Sequence, residues 1–249
     1  MRSNEVVFGI NAVATRLKRG DGLVELLVRE GKLSARLEEM VQLARDKSCR
    51  VSRRSLEELD RMTALSHQGV ALTVAATDMK SESFLNTVLE GVSSGKLLIL
   101  ILDGVTDPRN LGACLRSAAT LGVDAVIVPK NNSAPLNEAA IKTASGGAAV
   151  VPLVQVTNLS RGIEKLKKHN VWIVGTLLDA ETPIDRVDLS GNIAIVMGSE
   201  DKGLRRNTVD HCDLLARIPM VNTELGFNVS VAAGVCLYEA HRQRTARTG

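Results

Sequence analysis

Asn110 and Arg116 stand six positions apart at the head of a helical stretch that follows the most apolar run in the chain, Leu97 to Leu102. A run of that kind reads as a strand buried on both faces, as in a parallel sheet. Asp107-Pro108 marks a turn, and Asn110 has the side chain of a helix N-cap. Leu111, Cys114, Leu115 and Ala118 then share an apolar stripe. At about 100° per residue, Arg116 points roughly 140° away from Leu111, onto the open face. A cation placed there lies beside the carboxyl end of a strand, where open α/β sheets bind ligands, and it can stabilise a developing oxyanion.

Two later segments repeat this pattern. Ile193 to Met197 runs into Gly198-Ser199-Glu200-Asp201, a strand followed by a permissive glycine and two carboxylates before a helix. Leu214 to Ile218 runs into Pro219-Met220, a seven-residue loop and Asn228-Val229-Ser230. Glu200 can fix a guanidinium fork, although a carboxylate near a helix start also serves the helix dipole, a role open to Asp201 as well. Asn228, like Asn110, has a simple reading as an N-cap. A cap at a ligand's edge can fill both roles.

The elements that must position these residues fall into two groups. The first 76 residues read as a small α/β unit, with strands at Val24 to Val28 and Val70 to Ala75. Its helices carry Leu37, Met40, Val41 and Ala44, and then Leu56, Leu59 and Met62. Residues 77–95 are more polar and hold the connection and the start of the second domain. From residue 96 to the end, strand-like runs recur at Leu97 to Leu102, Ala125 to Val128, Val150 to Val154, Val171 to Thr176, Ile193 to Met197 and Leu214 to Ile218. Helical segments separate most of them, which predicts a mostly parallel sheet covered on both faces. The last helix, from Asn228 to about Arg244, is apolar almost all round, so the core or a second chain must cover it on every side.

Composition narrows the function. No apolar run approaches the roughly 20 residues that span a bilayer, and the first residues lead into no signal-peptide core, so a cytosolic protein is expected. Cys49, Cys114, Cys212 and Cys236 form no CxxC pair, and the four histidines show no ligand spacing. Neither disulfides nor zinc are expected. His211 and Cys212 read as adjacent strand residues facing opposite ways. The formal net charge is +3 with a pI near 8.7, and the excess is clustered at Arg45 to Arg54, Lys165 to Lys168, Arg205-Arg206 and Arg242 to Arg247. Such clusters permit an acidic partner and also describe solvated faces. With one Trp, one Tyr and three Phe, the chain lacks the aromatic platforms on which many RNA-binding modules stack bases. Any RNA recognition rests on phosphates, shape and a pocket for one nucleotide.

The three segments resemble the motifs of the SpoU family of RNA ribose 2′-O-methyltransferases, in the SPOUT superfamily. The resemblance rests on Asp103-Gly104-Val105, Asp107-Pro108, Asn110, Gly112 and Arg116; then Met197-Gly198-Ser199-Glu200 with Gly203; then Ile218-Pro219-Met220 and Asn228-Val229-Ser230-Val231-Ala232. The amino-terminal part is similar to that family's substrate-binding domain through Phe8-Gly9-Ile10-Asn11-Ala12-Val13 and His67-Gln68-Gly69-Val70. The resemblance implies an L30e-like RNA-binding domain, a carboxyl-terminal trefoil knot, a homodimer, and S-adenosylmethionine as methyl donor. It also implies a ribosomal RNA target, a guanosine in the peptidyl-transferase region. A transfer-RNA target and a non-catalytic RNA-binding assembly factor with the same fold remain as alternatives.

The absence of a GxGxxG turn after the first buried strand agrees with a binder that is not of Rossmann type. The implied cofactor seat is Thr176, Gly198, Ile218, Met220 and Phe227, with Arg116, Glu200, Asn110 and Asn228 as catalytic residues. The family's arginine is proposed as a base; a guanidinium keeps its proton in proteins, so Arg116 reads better as an electrostatic stabiliser. The chain departs from the motif at Gly226, where the family has serine. If Gly226 takes a φ open to serine, Gly226→Ser preserves or raises activity; at positive φ, serine strains the loop.

Overall fold

The computed structural model describes residues 4–20, 22–63, 66–74, 78–223 and 225–246. The chain divides into two compact units, Met1–Thr77 and Asp78–Gly249.

The smaller unit runs β1 (Glu5–Phe8), α1 (Ile10–Arg19), β2 (Leu23–Arg29), α2 (Ala35–Asp46), β3 (Arg50–Arg54), α3 (Leu56–Met62) and β4 (Val70–Val74). Its sheet has the order β1-β4-β2-β3, with β2 and β3 parallel and the other pairs antiparallel. Leu26, Val28 and Leu72 bury one face against Val13 and Leu17 of α1 and Leu37, Met40 and Ala44 of α2. On the opposite face, Leu59 of α3 packs with Leu27 and Ala71. Leu56 and Met62, expected on the buried stripe of that helix, are exposed, because a helix of seven residues buries only its central position here. A capping box between Ser55 and Glu58 starts α3 without them. Residues 67–69 form a turn in which Gln68 Oε1 accepts the Ile10 N–H at 2.9 Å and His67 Nδ1 accepts the Gly69 N–H at 2.9 Å. Strand β3 lacks an apolar run and β1 carries a short one, Val6 to Phe8; pairing defines both.

The larger unit contains α4 (Leu85–Leu89), β5 (Leu98–Asp103), α5 (Pro108–Thr120), β6 (Ala125–Pro129), α6 (Glu138–Ala144), α7 (Gly147–Val150), β7 (Leu153–Val156), α8 (Leu159–Lys168), β8 (Trp172–Thr176), β9 (Thr182–Pro183), β10 (Ile193–Gly198), α9 (Arg206–Val209), β11 (Leu214–Arg217) and α10 (Val229–Ala246). Seven strands pair in the order β7-β6-β5-β10-β8-β11-β9, every pair parallel. All six residues of β5 are buried. Leu98, Leu100 and Leu102 meet α5 and α10 on one face, and Ile99 and Ile101 meet α4 and α8 on the other. Each such side chain contributes about 1.5–3 kcal/mol of hydrophobic stabilisation.

Several expectations shift. The strand expected at Val150 to Val154 starts at Leu153: Gly147–Val150 is one helical turn wedged against α5, which leaves Val150 exposed. Residues 78–84, in the stretch read as the connection and the start of the second domain, lie in the larger unit. There the Lys80 N–H donates to Leu153 O at 2.7 Å and Lys80 O accepts the Gln155 N–H at 2.8 Å. His211 and Cys212 lie in the turn after α9, where Cys212 Sγ donates to Thr208 O at 3.3 Å; neither is on a strand. The four cysteines are free, and burial pushes the Cys114 and Cys236 thiols up to about 12. Helix α10 buries Val229, Ala233, Cys236, Leu237 and Ala240 but leaves Val231, Val235 and Tyr238 exposed, so the core covers only one of its apolar sides. No helix among the described residues is long and apolar enough to cross a membrane.

Candidate active site

The register of the sheet lines up three strand ends. Gly198 of β10 pairs with Asp103 of β5, Val196 of β10 pairs with Gly175 of β8, and Ala216 of β11 pairs with Thr176. The segments that follow β5, β10 and β11 therefore leave the same carboxyl end of the sheet.

After β5 the chain turns through Gly104, at φ 84°, into α5. The cap of α5 is Asp107, whose Oδ1 accepts the Arg109 N–H at 2.9 Å, with Pro108 in the first turn. This corrects the expectation that Asn110 is the cap. Pro108 lacks an N–H and is suited to N1, which puts the boundary three residues earlier and frees the Asn110 amide for other partners. Gly112 makes the position of α5 possible: a Cβ there would lie 2.4 Å from Ala140 O of α6.

Asn110, Glu200 and Asn228 come together, although the first and last are far apart in sequence. Asn228 Nδ2 donates to Glu200 Oε1 at 2.9 Å and to Asn110 Oδ1 at 3.1 Å, and Asn110 Nδ2 donates to Glu200 Oε2 at 3.5 Å. Asn228 Oδ1 accepts the Ser230 N–H at 3.0 Å and the Ser230 hydroxyl at 2.7 Å, so the residue caps α10 while its amide nitrogen holds the cluster. Glu200 stays exposed, with lone pairs open to a ligand.

Arg116 is not part of this cluster. Six residues beyond Asn110, it points about 120° away from it round the helix axis, and it is exposed. Its backbone is gripped by α7, since a Cβ on Gly147 would meet Leu115 O at 2.6 Å and Arg116 Cα at 2.9 Å. The guanidinium projects from a fixed base.

Of the candidate cofactor residues, Thr176 ends β8, and its hydroxyl donates to Val196 O at 2.9 Å, toward the backbone of the neighbouring strand. Gly198 is needed for close approach: a Cβ there would lie 2.2 Å from the Gly203 carbonyl carbon. Ile218 and Met220 are half-buried, while Phe227, Leu225 and Val221 are exposed. No Lys or Arg occurs from Ile218 to Asn228. A seat of apolar side chains and backbone without side-chain cations has the chemistry to accept an adenosyl group and a sulfonium, so the residues fit S-adenosylmethionine. Arg217, just before this loop, donates to Ala180 O at 2.7 Å and to Glu181 O, tying down the segment after β8. Among the described residues, no group of three or more His, Cys, Asp or Glu is placed to hold a metal.

Two arginines assigned to solvated basic clusters serve instead as internal ties. Arg205 binds the fully buried Asp103. Arg244 donates to the carbonyls of Leu189 (3.0 Å), Gly191 (2.6 Å), Leu97 (3.2 Å) and Lys96, and burial lowers its pKa. Arg242 is tied to Glu239, and Arg247 lies outside the described residues. No local signal marks Arg205 or Arg244, because their partners lie 53 to 148 residues away.

Residues 97–238 match the SpoU rRNA methylase family. The chain belongs to the SpoU rRNA methylase family. Residues 6–79 match the RNA 2′-O ribose methyltransferase substrate-binding family. Among SpoU relatives, the 23S rRNA (guanosine-2′-O-)-methyltransferase RlmB of Pseudomonas aeruginosa is 47% identical over 242 residues, covering 97% of each chain. The protein of the same name from Pseudomonas syringae is 44% identical over 248 residues, covering 99% of each. Among solved structures, the SpoU methyltransferase AviRb of Streptomyces viridochromogenes shares the fold, with a TM-score of 0.72 at 23% identity over 98% of this chain and 91% of that one.

Proposed function

We propose that this chain methylates the ribose 2′-hydroxyl of a guanosine in 23S ribosomal RNA, using S-adenosylmethionine, in the bacterial cytoplasm. The observation that carries the reading is the convergence of Asn110, Glu200 and Asn228 at the carboxyl end of the sheet, beside a loop free of cations, in a chain 44–47% identical to RlmB proteins over almost its whole length.

Bound S-adenosylmethionine supplies an electrophilic methyl group on a positively charged sulfur. Ile218, Met220 and Phe227 hold its apolar surface, with Thr176 and Gly198 shaping the floor. Glu200 accepts hydrogen bonds from the guanine edge, whose N–H groups are donors, while Asn110 and Asn228 hold the carboxylate in place. Arg116 stabilises the oxyanion that develops as the 2′-hydroxyl passes its proton to solvent water, and grips the adjoining phosphate.

The protein works as a homodimer through the α10 face of Val231, Val235 and Tyr238, which is apolar and uncovered. Residues 1–76 act as the RNA substrate-binding domain, residues 77–95 as the linker and start of the catalytic domain, and residues 96–249 as the catalytic domain. In the larger sheet the chain runs from β8 out to the edge at β9, back inside to β10 and out again to β11. That path supports a trefoil knot at the carboxyl end.

Labelled S-adenosylmethionine, incubated with the protein and 23S RNA lacking 2′-O-methyl groups, should place label on one guanosine ribose. Label on transfer RNA alone, or none at all, overturns the reading. In sedimentation, Val231→Asp should convert dimer to monomer.

A further inference from the structure

We infer that Asp103 and Arg205 form a positioning clamp that sets the geometry of Glu200 for methyl transfer, an inference that rests on the functional reading above. Asp103 is the last residue of β5, fully buried and charged, and it touches both ends of the loop that carries Glu200. At the near end it is the register partner of Gly198. At the far end its Oδ1 accepts from Arg205 Nε at 2.6 Å and pairs with Nη2, and its Oδ2 accepts the Arg205 backbone N–H at 3.1 Å. A carboxylate removed from water is stable only when so fully paired, which makes the geometry restrictive.

Between these anchors, residues 199–204 fold on themselves. Ser199 and Gly203 exchange backbone hydrogen bonds at 3.0 and 2.9 Å, and the Lys202 N–H donates to Ser199 Oγ at 3.2 Å. The close approach of Gly203 and Leu204 to Gly198 leaves no slack. Glu200 sits in this staple, and its carboxylate bonds run outward, to Asn110 and Asn228. Because β5 also leads directly into the turn before Asn110, one buried carboxylate refers both the Asn110 segment and the Glu200 loop to the same strand end. Arg205 shares no hydrogen bond or ion pair with the three cluster residues. It acts through them.

The test is a kinetic cycle on the full-length enzyme with 23S RNA and labelled S-adenosylmethionine. Arg205→Lys keeps the charge beside Asp103 but loses the planar fork. It should lower kcat about tenfold or more while leaving S-adenosylmethionine Kd within about threefold of the parent. Glu200→Ala should be slow by itself, and adding Arg205→Lys should slow it by less than about twofold further, because residues acting through one another are not additive. Should Arg205→Lys fail to fold, the charge-free pair Asp103→Asn/Arg205→Gln enters the same cycle with the same expected losses. Multiplying losses in the double variant, or an Arg205 variant with unchanged kcat and only a lower melting temperature, overturns the clamp as a positioning device. A Glu200→Ala enzyme as fast as the parent overturns it too, and locates the failure in the reading of Glu200 itself.

Discussion

The Asn110–Glu200–Asn228 corner and the loop from Ile218 to Phe227 follow the same carboxyl end of the sheet, yet they are built in opposite ways. In the corner every side chain has at least one partner among the other two, and the backbones beneath are fixed by Gly112, Gly198 and the Asp107 cap. The loop instead exposes Val221, Leu225 and Phe227. A corner assembled in advance suits groups that must meet a transition state without reorganising. An apolar loop left bare suits a surface that a ligand or a second chain completes.

This contrast predicts a division of labour: corner and helix variants should change the rate at fixed cofactor affinity, and loop variants the reverse. The sharpest test is Arg116→Ala, which should lower kcat on 23S RNA by about a hundredfold or more, the scale of a lost transition-state donor. Calorimetry should give an unchanged S-adenosylmethionine Kd. A folded Arg116→Ala enzyme with near-normal turnover breaks the assignment. Next, Glu200→Gln replaces an acceptor of two amide bonds with a neutral group and should slow methylation about tenfold, in line with the loss of a charge-assisted hydrogen bond worth about 1.5 kcal/mol. The smallest effect belongs to the loop. Gly226 has φ 61°, so serine there is strained, and the branch of the sequence reading in which serine is harmless is closed. Gly226→Ser should weaken S-adenosylmethionine binding about fivefold, equivalent to about 1 kcal/mol of left-handed backbone strain, with kcat at saturation nearly unchanged. Tighter binding by that variant would show that the loop rearranges on binding.

What could be read from the sequence followed the range of the interactions involved. Strands β5, β6 and β10 announce themselves because a strand covered on both faces must be apolar throughout, and that requirement is local, while β8 and β11 carry shorter apolar runs that end in Thr176 and Arg217. Strand β9, two residues long, exists only because β11 needs a neighbour, and no pattern in Thr182-Pro183 reveals it. Val150 misled because an apolar residue before a proline-led strand looks like its first residue, while Gly147 had already committed the segment to a helical turn against α5. Asn110 looked like a cap because its side chain is suited to one; Asp107 followed by Pro108 is the stronger signal and was present three residues earlier. Arg205 and Arg244 were invisible for a different reason. An arginine that will bind a buried carboxylate has the same local sequence as one that will face water.

The four-carbonyl grip of Arg244 has a consequence for biosynthesis. Its acceptors, Lys96, Leu97, Leu189 and Gly191, precede it by as many as 148 residues, and the arginine itself lies in the final turn of α10. During translation the sheet is therefore complete well before the residue that fastens its amino end leaves the ribosome. Long-range closures of this kind form late, because the chain between them must be ordered first. Nascent chains arrested shortly before Arg244 emerges should be cleaved by protease near residue 96 or 190, and release of the last turn should protect both places at once.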